Sequence, residues 1–571
     1  KILISLLIIF LIFIAYFSYF GITTSKFNSI FEDQIKKQND NLDIDLKKVK
    51  LHLDLKNISI KVKTKNPKII LKDSGQIKLD EISSNISIYS YFQNKFAIKN
   101  ISIKSKNNEL SSYINFYSQT NNSLKIILLN QFLKRGMAQV NIDLNFDDFG
   151  KIKNNYSLSG KVSNAEIQFP KYNSIRNLNF TFNAKDNNYN FEKILFKFNK
   201  INLNSNFIEI KKKEEKFIVK GNLKNKNDKI NNDIIFLIFN DNLKNFDFSN
   251  TKFESISDFS FDINKKFKIK NLKINSKLNF DELFLKYDLY KIKNYIDKFQ
   301  NLIKLKENKF HIKYSEKKVL IDGSSEFYID QNSKNLIEFH IEKNNNKTNF
   351  KTFLNLKNID LKVNDISYNK TKNEKASLSI KGFKNKEKLF FKNINYKENK
   401  NQIIIKNLEI INNKISNIDE IKLDFLTNND FKNQINLIKK DSNFNLTGKS
   451  FDSIKLIENI SNSEDNNNFF DIFHNLNSKI KIDIKEIKLD DESTVNDLNG
   501  ILEIKDSKIY DLNVNSNFSS NEKLFITVKK QNDNSTVTTF YSDRAKPFVK
   551  KYKFIKGFEG GNLDFSSTKI N

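Results

Sequence analysis

Cysteine is absent from all 571 residues, and with it go disulfides, thiolate metal sites, iron–sulfur clusters and cysteine nucleophiles. Tryptophan is absent too, while proline occurs 3 times and glycine 13 times. That scarcity excludes collagen-like, mucin-like and flexible-linker architectures. The 4 histidines (His52, His311, His340, His474) form no pair at ligand spacing, so no metal is expected, and no cofactor. Arginine is nearly missing: of 96 basic residues only Arg135, Arg176 and Arg544 are arginine. A formal charge of +29 would ordinarily point to nucleic acid or an anionic membrane. Here the excess is lysine in a chain saturated with Asn, Ile and Phe, the residues of AT-rich codons. The guanidinium suited to forked phosphate and guanine contacts is gone. No nucleic-acid partner is expected; a diffuse attraction to anionic lipid headgroups fits the composition better.

Apolar residues make up 39% and aromatics 13%, too many for a disordered chain and ample for a large core. The first of them form one block. Residues 2–22, ILISLLIIFLIFIAYFSYFGI, carry no charge and as a helix would span about 30 Å, the hydrocarbon thickness of a bilayer. Tyr16, Phe17, Tyr19 and Phe20 cluster at the far end, where an aromatic belt sits. A cleaved signal peptide has a shorter apolar core and a small-x-small site, which Gly21–Ser25 does not offer. The expectation is therefore an uncleaved transmembrane anchor over 1–24, with everything after Thr23 across the membrane. Freedom from cysteine suits an oxidising compartment there without demanding one.

From Leu42 onward apolar residues fall on alternate positions: Leu42, Ile44, Leu46, then Val49, Leu51, Leu53, Leu55, then Ile58, Ile60, Val62. Period two predicts strands with one apolar and one polar face. The breaks at Lys47-Lys48 and Lys56-Asn57 shift the phase by one, as a bulge or tight turn would. Asn-Ile-Ser-Ile recurs at Asn57, Asn85 and Asn100, with Asn-Ile-Asp-Leu at Asn358. Further runs lie at Phe267–Ile274, Phe353–Val363, Ile403–Ile411 and Ile480–Leu489, separated by Asn, Asp, Lys and Ser as in many short antiparallel strands. Helical spacing appears only in pieces: Leu124–Leu133, Leu289–Ile303, Asn468–Leu476 and Pro547–Ile555. Two architectures satisfy this pattern: an elongated repetitive β-sheet, or a string of compact β-sandwiches, to which periodicity by itself leans.

The final third carries a more specific succession. KIKIDIKEIKL (Lys479–Leu489) is followed by VNDLNGILEI, KIYDLNVNS, LFITVKK and TVTTFYSDRAKPFVKKYKFIKGFEGGNLDFSS (Thr536–Ser567). It resembles the YhdP-like branch of the AsmA superfamily, through the step Ser542-Asp543-Arg544-Ala545, a short helix, and the turn Gly560-Gly561-Asn562-Leu563. The segment Arg135–Ile167 resembles that family's upstream strands. The resemblance implies an all-β protein with one N-terminal transmembrane helix and a few short helices. Its antiparallel sheet would be curled into a hydrophobic groove, and the domains divided as a 1–24 anchor, a 25–450 repetitive β region and a 451–571 C-terminal β segment. It further implies an inner-membrane, single-pass protein with its bulk in the periplasm of a Gram-negative bacterium, carrying phospholipids toward the outer membrane. Family members continue beyond the Gly-Gly turn, so the chain, opening on Lys1 and stopping at Asn571, is expected to be a fragment.

Groove-lining candidates are Leu51, Leu53, Leu55, Ile58, Ile60, Val62, Leu354, Leu356, Ile480, Ile482 and Ile484; as sandwich core they would show the same periodicity. Ser542, Asp543, Ala545, Gly560, Gly561 and Leu563 are expected to be structural, with Asp543 an N-cap and the Gly-Gly pair a turn needing positive φ. The Leu289–Ile303 stripe is expected to pack on a sheet. The expected partners are phospholipid acyl chains, the inner membrane through residues 2–22, and an outer-membrane or periplasmic protein. The alternative function is a structural envelope tether or outer-membrane assembly scaffold without lipid transport. An enzyme would need a clustered polar constellation that the sequence does not show.

Overall fold

The computed structural model describes the chain apart from residues 27, 30–31, 34–35, 37–40, 72–74, 121–130, 170–173, 231–244, 249–250, 267, 287–292, 297–298, 300–301, 331–332, 457–476, 506–507, 519–521, 532–534, 550–558 and 571. One apolar helix, Ile2–Tyr19, opens the chain; most of the other described residues are strand, in one long continuous sheet, with a separate two-stranded hairpin at Leu361–Lys370. The helix is long and apolar enough to cross a membrane, with mean hydropathy 2.7 and no buried residue. It stops three residues before the end of the apolar block. Gly21 takes φ +72, the left-handed conformation that ends helices, and Ile22 already pairs with Leu51.

Chain contacts divide the molecule into two compact units: Lys1–Lys229 with Phe253–Ser276, and Ile230–Lys252 with Lys277–Asn571. Residue 450, the expected domain boundary, lies inside the second unit, within the strand Asn443–Asp452. Strands follow one another as antiparallel neighbours joined by tight turns, and asparagine supplies the geometry that glycine usually does. Asp186-Asn187 and Asn412-Asn413 occupy two-residue turns with positive φ at both positions, the primed-turn geometry matching strand twist. Asn164 and Asn177 take positive φ inside strands where the register slips, as bulges do.

Among the described residues one pair departs from the antiparallel rule. Asn443–Asp452 and Ser478–Lys488 run parallel, Leu446 opposite Ile482. Parallel neighbours need a crossover of a dozen or more residues, which the intervening chain provides. The expected helix Asn468–Leu476 falls in that connection, outside the described residues, as do most of Leu124–Leu133 and most of Leu289–Ile303. Of the last stripe, Ile296, Phe299 and Ile303 pack with Phe327, Ile329 and Ile359, and Ile303 belongs to the strand Leu302–Ser315. The helix expected at Pro547–Ile555 is described at Lys546–Val549. Two helices without strong sequence signals are present at Ile88–Phe92 and Leu110–Thr120. The recurrent Asn-Ile-Ser-Ile tetrapeptide and its Asn-Ile-Asp-Leu relative have no common role: Asn57 and Asn358 sit in turns, Asn85 near a strand end and Asn100 within a strand.

Candidate functional site

Directly opposed residues in a sheet share a face, so register alone traces apolar files across the strands. In the second unit one file runs Ile380, Ile394, Ile405, Ile421, Leu437 and Leu446, then through Ile482, Gly500, Val514, Ile526 and Phe540 to Phe565. Eleven steps of about 4.8 Å carry it over roughly 50 Å. A parallel file links Leu354 to Ile484 through Leu378, Tyr396, Ile403, Leu423, Ile435 and Gly448. One residue along the strands, the opposite face reads Lys422, Asn436, Thr447, Asp483, Asn499, Asn515. Glycine enters the apolar file where neighbours crowd it. A Cβ on Gly500 would lie 2.6 Å from the Val514 side chain and 2.2 Å from the Asn513 carbonyl oxygen.

Between residues 366 and 526 this face lines a partly open cavity of about 470 Å³, within the ~300–1,000 Å³ range of small-molecule sites. Its walls are isoleucine, leucine, valine and phenylalanine; Ser453 and Ser478 are the polar exceptions. The candidates Ile480, Ile482 and Ile484 stand together in its wall. Leu354 lies on the connected file. Leu356 sits just past the strand end, packed against both the Phe327 and the Tyr368 clusters. Leu423, Leu437, Leu446, Leu498, Leu502 and Ile526 line the cavity as well and were not singled out from the sequence. Their period-two signal equals that of the residues chosen, and strand order alone selects among them.

The hairpin Leu361–Lys370 covers part of the same face. Its Leu361, Val363, Ile366 and Tyr368 pack on Tyr396, Ile403, Leu423 and the fully buried Phe425. The Tyr368 hydroxyl lies 2.7 Å from the Tyr396 hydroxyl and donates to the Glu398 carboxylate, which also accepts from Asn401 Nδ2 at 2.9 Å. Lys370 is wholly buried, yet its ammonium donates to the carbonyls of Ile359 (2.8 Å), Thr371 (2.9 Å) and Lys357 (3.1 Å). Burial lowers its pKa. Burial, with donation to Glu398, pushes the Tyr368 phenol far above its ordinary range, and burial also raises Tyr396.

Phenols that hold their protons to higher pH when folded stabilise the fold fully below their unfolded value of about 10, and that contribution is lost as pH rises beyond it. The denaturant midpoint of the second unit is expected to fall above about pH 10, and Tyr368→Phe to make the fall shallower. Identical pH profiles for the two proteins would contradict this assignment.

In the first unit, Leu51 opposes Val62 and Leu53 opposes Ile60, so these four share a face, with Leu51 and Val62 packed on the buried Ile44, Leu46 and Val49. A file there crosses eight strands: Ile82, Ile103, Ile142, Leu158, Ala184, Tyr189, Ile210, Val219. Leu55 and Ile58 are not on that face. They occupy the turn between Val49–Asp54 and Ser59–Lys65, 56% and 60% exposed, with Ile58 at φ +44. The Asp54 carboxylate accepts the Lys56 and Asn57 amides and folds the turn there, so the alternation stops before Leu55.

The C-terminal motif assembles as a corner. Ser542 pairs with Leu563, the Ala545 amide donates to the Gly561 carbonyl at 2.9 Å, and Gly561 has φ +93 while Gly560 does not take positive φ. The buried Ser542 hydroxyl donates to the Arg544 carbonyl. Asp543 is not the N-cap. Its carboxylate accepts the Lys523 amide at 2.7 Å and the Tyr541 hydroxyl at 2.6 Å, which lower its pKa, while the Ala545 carbonyl accepts the amides of Phe548 and Val549. The pairing of Leu524 with Ser542 sets Lys523 beside Asp543, and this tertiary neighbour displaces the local cap.

Compared with family models, curated proteins and solved structures, the chain matches none.

Proposed function

We propose that this protein is a membrane-anchored lipid carrier: Ile2–Tyr19 spans the inner membrane, and the apolar sheet face shelters phospholipid acyl chains on their way toward the outer membrane. The observation that carries the reading is the cavity of the second unit, almost wholly apolar and fed by files that continue along the sheet. Acyl chains leaving a bilayer cost about 0.8 kcal/mol per CH₂, on the order of 20 kcal/mol for two chains. A trough of Ile, Leu and Val removes that barrier while the headgroup stays in water. No covalent step is needed.

The test is lipid extraction from residues 26–571, purified from an expressing bacterium without detergent, with mass spectrometry of what is retained. Near-stoichiometric phospholipid is expected; an empty protein of unchanged strand content would overturn the reading. A second reading, a tether or assembly scaffold with a closed core, draws on the hairpin Leu361–Lys370, which shows this apolar face accepting protein cover.

A further inference from the structure

The anchor enters the first unit at a defined place. Ile22 pairs with Leu51 and Thr24 with Val49, antiparallel, so the chain preceding Ile22 lies toward the Asp54 end of that strand. Gly21 fits tightly there: a Cβ on it would meet the Leu51 carbonyl oxygen at 2.6 Å and the His52 ring at 2.9 Å. The helix end therefore marks one edge of the sheet, and three successive connections lie along that edge.

These are the turn 55–58, the loop 88–97 and the loop 146–156. The Ile88 amide donates to the Ile58 carbonyl at 3.1 Å, and the Phe96 amide to the Asp148 carbonyl at 3.0 Å, tying each connection to the next. Along them Leu55, Ile58, Tyr89, Tyr91, Phe92 and Phe149 are each more than half exposed. Farther from the helix the same edge changes character. Its next connections are Asp186-Asn187 and Glu214-Glu215, without an apolar residue.

A soluble edge does not concentrate tyrosine and phenylalanine in solvent, whereas the boundary of a bilayer favours their rings. Lysine stands among them: Lys56 is exposed, and Lys95 and Lys99 reach Asp148 at 3.8 and 2.9 Å. Long lysine stems can lie along such a surface with their charges in the headgroup layer. We infer that this edge of the first unit is a lipid-docking surface, its three connections immersed in the leaflet from which Ile2–Tyr19 emerges. The occupant is fixed by continuity, because the apolar loops adjoin a helix whose own far end carries exposed Tyr16, Tyr19 and Phe20. The inference rests on reading that helix as a membrane span. It gives the sheet two attachments to the bilayer, so the first strands stand at the membrane surface instead of swinging on one linker.

Because the chain has no tryptophan, single reporters are clean. Phe149→Trp, Phe92→Trp, Tyr16→Trp and Glu215→Trp forms of the chain 1–571 would be reconstituted in phosphatidylcholine–phosphatidylglycerol vesicles, with and without brominated acyl chains. Tyr16→Trp reports the anchor and Glu215→Trp the polar part of the edge. At positions 92 and 149 a blue shift and about twofold quenching are expected, as for rings ~5–10 Å into the headgroup boundary, with none at 215. Quenching at 16 but not at 92 or 149 overturns the docking surface and leaves the anchor standing. No quenching at 16 overturns the anchor, and this inference with it.

Discussion

Replacing Ile482 by aspartate is expected to abolish the lipid retention proposed for the cavity and to cost the second unit about 3–5 kcal/mol at neutral pH, the usual penalty for an uncompensated buried charge. Ile482 is 8% exposed and sits between Leu446 and Gly500 on the apolar file, with Ile480 and Ile484 beside it in the cavity wall. No cation or hydrogen-bond donor is among the cavity's side chains except the hydroxyls of Ser453 and Ser478. Desolvation would raise the new carboxyl's pKa above its unfolded value of about 3.9. The sign follows: the variant is least impaired below that value, where the carboxyl is neutral in both states, and loses stability as pH rises through the folded pKa. Urea unfolding at pH 4 and pH 7, followed through the amide protection of the second unit and set beside lipid analysis of the same preparations, separates the charge effect from a packing defect. A midpoint deficit equal at both pH values would contradict the dry-cavity account.

Phe425→Ala is expected to cost about 3–5 kcal/mol and to release the hairpin Leu361–Lys370 from the sheet. The Phe425 ring has no exposed surface and meets Tyr368 edge-on at 5.1 Å. Its neighbour across the strands, Asn433, is equally buried; its side-chain oxygen accepts the Asp452 amide at 2.6 Å. Truncation leaves a void under the hairpin that this rigid surround cannot close. With two units present, a single global midpoint is the wrong readout. Amide hydrogen exchange should show Leu361–Lys370 losing protection first, while Leu195→Ala, at an exposed site in the first unit, shifts stability by less than about 0.5 kcal/mol. Unchanged protection in the hairpin would contradict its docking through Phe425.

The strands were legible because alternation is a local property. Ile480, Ile482 and Ile484 announce one face, and Leu51, Leu53, Ile60 and Val62 another. Phase and neighbours are not local. Leu55 and Ile58 continue the count of two on paper, but the Asp54 side chain bends the backbone before they are reached. Nothing in the sequence says that Leu446 and Ile482 lie side by side, since a parallel pairing depends on a long connection. Phe353–Val363 reads as one run, yet the strand ends at Asn355 and Leu361 begins the hairpin, folding back over the face just built. Lys370 is the hardest to foresee: one lysine among many, buried because three backbone carbonyls converge on it. Asp543 likewise looked like a helix cap, and a neighbouring strand claimed its carboxylate.

The central claim is that lipid occupies the apolar face of the sheet and not the polar one. A photoreactive residue placed at Leu502, in the cavity wall, and separately at Ile501, one position along and 41% exposed on the other face, tests it in the full chain within the membrane of an expressing bacterium. Irradiation should yield a phospholipid adduct from position 502 and none from 501. Equal labelling at both, or no adduct at 502, would contradict the account.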